Sequence, residues 1–180
     1  MKEPPAHLDA VGSVVEALAE LALPPVLVGG MALVMLGSRR VTRHFDFLIA
    51  RPGEALGALV DAFYDRGFEL ASRVSAEGEV TATISNRRVA AARLRLDAPA
   101  SAYFLAPETG LRVDLLFDFP LAAAALARRA TTFRVRRKAW RVAAEADLLR
   151  LKKLAQASRS SPGDAEDIVF LEARRARSRK

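Results

Sequence analysis

The chain has 180 residues, enough for one domain with a sizeable apolar core, and its 51% hydrophobic and 27% charged content excludes a disordered chain. With no cysteine and only His7 and His44, disulfides, thiolate zinc sites, thiol nucleophiles and multi-histidine cages are excluded as well. The net charge of +7 favours a polyanionic partner, either nucleic acid or nucleotide phosphate.

Alanine (35 residues) and arginine (23, against 5 lysines) dominate, so no arginine is informative by type alone. No apolar run approaches the roughly 18 residues that a membrane span needs. The N-terminus, with one lysine, two prolines and interspersed acids, does not resemble a signal peptide. A cytoplasmic protein is expected, with no membrane partner.

In chain order, apolar residues at helical spacing predict a first helix over 8–22, ended by Leu23-Pro24-Pro25. Val26-Leu27-Val28 reads as a short buried strand broken by Gly29-Gly30, and Met31 to Leu36 as a helix closed by Gly37. A basic loop over 39–43 leads into a strand from Phe45 to Ile49, and Glu54 to Arg66 reads as a helix. Alternation predicts strands at Val80–Ile84 and around Leu94–Leu96, with a hairpin turn at Asn86-Arg87. A strand over Leu111–Phe117, a helix over Leu121–Arg129 and a hairpin within 131–142 follow. Two helices, 144–157 and 163–173, are joined by a Ser-rich linker. The last seven residues, five of them basic, are expected to fray.

Three places can carry chemistry. Gly29-Gly30 sits at a strand-to-helix junction, where a phosphate can approach the backbone and meet free N–H groups; a tight turn without a ligand is the plainer explanation. In His44-Phe45-Asp46-Phe47, strand alternation turns His44 and Asp46 to one side while the phenylalanines anchor the other. A carboxylate among apolar neighbours needs a partner or a metal. Asp114 alternates with apolar residues in Arg112-Val113-Asp114-Leu115-Leu116. If its strand pairs with that of Asp46, the two acids converge on one cation; taken singly, each is a surface acid at a strand end.

The last two helices read without further assumptions. On a helical wheel Lys152 falls at the edge of the stripe formed by Leu148, Leu151 and Ala155, while Lys153 points away. Lys152 either snorkels or reaches a phosphate from a shielded position. Ser161 reads as an N-cap with Pro162 in the first turn. Asp164 then serves as a capping acid or, from the inner face, orients Lys152 or a metal site.

Taken together, Gly29-Gly30, Arg40-x-Thr42-Arg43-His44-Phe45-Asp46-Phe47, Val113-Asp114-Leu115-Leu116, Asp147-Leu148-x-x-Leu151-Lys152 and Asp164-x-x-Asp167-Ile168 resemble, in order and spacing, the AbiEii-type nucleotidyltransferases. That group belongs to the polymerase-β-like nucleotidyltransferase superfamily, and the resemblance spans about residues 24–172. It implies an α+β fold: a nucleotidyltransferase-like mixed sheet flanked by helices, with a C-terminal helical pair. The core would be residues 1–142, the packed helices 143–173 and a disordered basic tail 174–180.

It further implies that Gly29, Gly30, Arg40, Thr42 and Lys152 contact nucleotide phosphate. His44, Asp46 and Asp114 would hold Mg²⁺ (or Mn²⁺), with Asp46, Asp114, Lys152 and Asp164 as catalytic residues. The implied activity is transfer of a nucleoside monophosphate from a triphosphate to tRNA or protein, in a toxin or phage-defence role with a cognate antitoxin. One departure stands out: His44 occupies a position where the family pattern has aspartate. Imidazole removes an oxygen ligand and a negative charge from a site built for a hard cation. This predicts weaker binding, one ion instead of two, or a preference for Mn²⁺. The alternative is a degenerate member of the fold that binds nucleotide, RNA or a partner protein without turnover.

Overall fold

The computed structural model describes residues 4–159 and 162–180. Its elements are α1 (Pro4–Glu20), β1 (Val26–Val28), α2 (Gly29–Met35), β2 (His44–Ile49), α3 (Leu56–Tyr64), β3 (Glu69–Val74), β4 (Val80–Ile84), α4 (Arg87–Asp97), β5 (Ser101–Ala106), β6 (Leu111–Phe117), α5 (Ala123–Arg129), β7 (Thr131–Val135), β8 (Lys138–Val142), α6 (Glu145–Ser158) and α7 (Pro162–Arg177). The strands form one sheet in the order β4-β3-β5-β6-β2-β1-β8-β7. It is mixed: β2 runs parallel to β6 and β1 parallel to β8, while β1–β2 and the remaining pairs are antiparallel.

The apolar pattern explains this layering. β1 is a wholly buried Val-Leu-Val segment at the middle of the sheet. In β2, Phe45 and Phe47 turn to one face, where both meet the Trp140 ring of β8 edge-on at centroid distances of 5.8 and 5.9 Å. Helix α1 buries Val11, Val14, Val15 and Leu18, a spacing that makes one helical stripe. Its Gly12 lies against Lys138 and Trp140, so α1 covers the same face as the two phenylalanines. His44 and Asp46 therefore emerge on the opposite face.

One expected element is overturned. Residues 87–97 form helix α4 and not the second arm of a hairpin. The Asn86 side chain accepts hydrogen bonds from the backbone N–H of Arg88 and Val89, which is an N-cap and not a turn. Ala90 and Leu94, four apart, are buried, while Leu96 is 83% exposed. The alternation of Leu94 and Leu96 was coincidental, and the i, i+4 pair carries the packing. Strands β3 and β5 fill the region that the sequence marks only as strand-rich.

The C-terminal boundary also moves. Helix α7 continues through Arg174 to Arg177, past the expected start of a disordered tail. Arg174 explains this by pairing with Glu145 of α6 and donating to the Leu36 carbonyl at 2.8 Å. The expected Ser161 cap lies outside the described residues. Among the described residues no helix is long and apolar enough to cross a membrane.

Candidate metal and phosphate site

The site begins with strand register. Asp46 of β2 lies opposite Asp114 of β6, His44 lies opposite Arg112, and Val28 at the end of β1 lies opposite Asp46 on the other side. Because β2 and β6 are parallel neighbours, side chains at matched positions stand on one face. His44 Nδ1 is consequently 3.3 Å from Asp46 Oδ1 and 3.5 Å from Asp114 Oδ2. The three donor atoms all lie within 4.8 Å of one another. Cis ligands about a 2.1 Å octahedral ion stand roughly 3 Å apart, so the set can close on one cation with little movement.

The electrostatics of this cluster are unbalanced. Asp114 is buried, and burial pushes its carboxyl up to about 6 against the opposing pull of Arg112, with the neighbouring Asp46 charge adding to the rise. His44 is held above its ordinary value chiefly by its contact with Asp46, against the effect of burial. Nδ1 of His44 thus stands within ion-pair distance of both carboxylates. A nitrogen facing two carboxylate oxygens in this way makes a donor set that could hold a divalent cation.

Glycine is required beside Asp46. Gly29 has φ +66°, and a Cβ there would overlap the Asp46 carboxylate. A Cβ on Gly30 would come within 3.0 Å of Arg40 Cζ and 3.2 Å of Thr42 Oγ1. The glycine pair thus lets the α2 backbone approach both the acid and the basic loop. Thr42 Oγ1 donates to the His44 carbonyl at 3.4 Å, which ties that loop to the start of β2.

The remaining predicted residues form a second, separate network. Lys152 is buried, and its Nζ lies 2.7 Å from Asp167 Oδ2 and 3.2 Å from Asp164 Oδ1. Arg40 pairs with Asp167, and Arg159 donates to Asp164 at 3.0 and 3.4 Å. Burial pushes the Asp164 carboxyl up, but Arg159 and Lys152 outweigh it and hold it below its ordinary value. Lys152 is therefore no snorkelling lysine, while Lys153 is exposed and pairs with Glu172. Asp147 is buried against Arg129 in a two-pronged contact at 2.9 and 2.7 Å.

Sequence reasoning named neither Arg112 nor Asp167 as a site residue. Both lay in the quoted motifs, and both were legible only through their partners. Arg112 grips Asp114 with Nε and a terminal nitrogen at 2.6 and 2.8 Å. Asp167 is the acid shared by Arg40 and Lys152.

No protein-family model and no curated protein matches the sequence. The fold, however, is similar to that of several solved structures. An antigenic nucleotidyltransferase-like protein from Paracoccidioides brasiliensis superposes with a TM-score of 0.60 at 16% identity, over 92% of this chain and 74% of that one. ANT(2'')-Ia, in complex with adenylyl-2''-tobramycin, gives a TM-score of 0.54 at 13% identity, over 92% and 87% of the two chains. The solution structure of that antibiotic-resistance factor gives 0.55 at 13% identity, over 96% and 93%. The chain has a nucleotidyltransferase-like fold: a mixed eight-stranded sheet flanked by helices.

Proposed function

We propose that this protein is a divalent-metal-dependent nucleotidyltransferase that moves a nucleoside monophosphate from a triphosphate to an acceptor. The observation that carries the reading is the convergence of His44 Nδ1, Asp46 and Asp114 beside a glycine whose backbone must approach Asp46. The fold supports it, and a protein of similar fold, ANT(2'')-Ia, was solved in complex with adenylyl-2''-tobramycin.

The donor set fits a divalent ion of Mn²⁺ or Mg²⁺ type, with Asp46 and Asp114 as oxygen ligands and His44 as a nitrogen ligand. When bound, such an ion would supply Lewis-acid polarisation of a phosphoryl oxygen and offset developing negative charge. Gly29 and Gly30 give the phosphates access to the backbone, and Arg40 and Thr42 line the loop beside them. Within the protein Arg40 and Lys152 are paired to Asp167. Their contribution is to fix that loop against α7, and Arg40 reaches phosphate by exchanging a carboxylate oxygen for a phosphate oxygen. Asp164 orients Lys152. Catalysis is then positioning and charge stabilisation around an acceptor hydroxyl.

The motif order favours an AbiEii-type role, with tRNA or protein as acceptor, a toxin or phage-defence setting and a cognate antitoxin. The charge of +7 suits a tRNA acceptor. A second reading, a non-catalytic binder of nucleotide, RNA or protein, is favoured by the imidazole at position 44 and by the arginine already seated on Asp114. The deciding experiment incubates the protein with bulk RNA, each labelled triphosphate in turn and Mg²⁺ or Mn²⁺. Ion-dependent label in RNA or protein, lost in Asp46→Ala, supports the enzyme. Triphosphate binding without label transfer supports the binder.

A further inference from the structure

A cation already sits on Asp114. Arg112 lies two residues before it on β6, on the same face, and engages both carboxylate oxygens through Nε and Nη2 at 2.6 and 2.8 Å. This two-pronged arrangement is the strongest geometry available to a guanidinium and a carboxylate. The guanidinium is locked from two other directions. Its Nη1 donates to the Gly78 carbonyl in the β3–β4 turn at 2.5 Å, and Cζ stands 4.5 Å from the centroid of the Tyr103 ring of β5. Only 15% of the Arg112 side chain is exposed, so this is no loose surface pair.

The consequence concerns charge. Two carboxylates and one guanidinium leave a single net negative charge around His44 when its ring is neutral. A divalent ion arriving alone meets half of its charge and must share Asp114 with a better-seated partner. An ion arriving with a triphosphate brings its own anionic oxygens.

We infer that Arg112 is a positioning residue that competes with the divalent ion for Asp114 and so makes ion capture depend on the triphosphate. The inference rests on the ion-dependent reading above. It adds that ion and triphosphate bind with positive coupling, and that Arg112 sets the size of that coupling.

The test measures Mn²⁺ affinity by electron paramagnetic resonance of the free ion, at one fixed pH, with and without a non-hydrolysable triphosphate analogue. In the unaltered protein the analogue is expected to tighten Mn²⁺ binding by about tenfold or more, beyond the affinity of Mn²⁺ for the analogue itself. Arg112→Gln is expected to bind Mn²⁺ about tenfold tighter than the unaltered protein in the absence of the analogue, with little further gain on adding it. Arg112→Lys, which keeps the charge but loses the two-pronged contact, is expected to fall between the unaltered protein and Arg112→Gln. If Arg112→Gln does not fold, the unaltered protein and Arg112→Lys still decide the matter through the analogue dependence.

Equal affinity with and without the analogue, or no tightening in Arg112→Gln, overturns the role of Arg112 and leaves the ion centre standing. Absence of Mn²⁺ from every protein, or binding undiminished in Asp46→Ala, overturns the ion centre itself and the inference with it.

Discussion

Two charged clusters are built from adjoining parts of the fold, and they differ in balance. On β2 and β6, two carboxylates meet one guanidinium and an imidazole whose Nδ1 faces both acids. On α6, α7 and the loop before β2, Lys152, Arg40 and Arg159 meet Asp164 and Asp167, and every one of these groups is paired. The second cluster is complete within the protein and acts as a staple between the C-terminal helices and the basic loop. The first carries one net negative charge whenever the His44 ring is neutral, and its Nδ1 faces both acids. Complete pairing at a buried position is what a structural joint needs, and the looser pairing around His44 is what the proposed ion would complete.

The largest effect should come from breaking the staple. Asp167→Ala leaves Lys152 buried beside one carboxylate and Arg40 without its acid, and the expected loss of stability is about 3 kcal/mol in denaturant unfolding. A loss below about 1 kcal/mol would place Asp167 outside the folding framework.

The second effect is a pH dependence in the metal-free protein. Asp114 binds its proton more tightly in the folded chain, where burial raises it from 3.8 to about 6. Its contribution to stability is therefore present below the unfolded value near 4 and is lost as pH rises through about 6. His44, also raised, acts in the same direction: its contribution is full below 6.5 and is lost as pH rises through its elevated value. Stability should fall by on the order of 2 kcal/mol between pH 4 and neutrality in proportion to the Asp114 shift, and Asp114→Asn should flatten that slope. Mn²⁺ should restore more stability at pH 7.5 than at pH 5.5, since it binds the deprotonated forms. A stability that rises over this range in a manner unaffected by Asp114→Asn would contradict the raising of Asp114 by burial.

A third, smaller change sharpens the contrast by adding charge to the incomplete cluster. His44→Asp places a third carboxylate on the side of Asp46 and should tighten Mg²⁺ binding about tenfold in calorimetry. The smallest effect on stability belongs to Asp46→Ala. Removing one of two like charges in a metal-free cluster should shift unfolding by less than about 1 kcal/mol while ion binding disappears. A loss of several kcal/mol would make Asp46 a structural acceptor instead.

Much of this site was legible from period and order. The twofold alternation of β2 set His44 and Asp46 on one side, and the apolar alternation around Asp114 marked its strand. The wheel position of Lys152 distinguished it from Lys153. What escaped depended on partners distant in sequence. Asp167 takes its meaning from Arg40, 127 residues away, and no local pattern encodes that pairing. Arg112 was one arginine among 23, and only the register that sets it beside His44 and over Tyr103 singles it out. Helix α4 was missed because two leucines at alternate positions imitate a strand, although Asn86 ahead of an Ala90–Leu94 pair was a readable cap and stripe.

The imidazole of His44 offers the most direct test of its proposed role as a metal ligand. With only two histidines in the chain, nitrogen modulation in the electron spin echo of bound Mn²⁺ can be assigned by mutation. Mn²⁺ added with a non-hydrolysable triphosphate should show coupling to an imidazole nitrogen. That coupling should vanish in His44→Asp while the ion stays bound, and it should persist in His7→Ala. Bound Mn²⁺ with no imidazole coupling, or coupling that survives His44→Asp, would contradict that role.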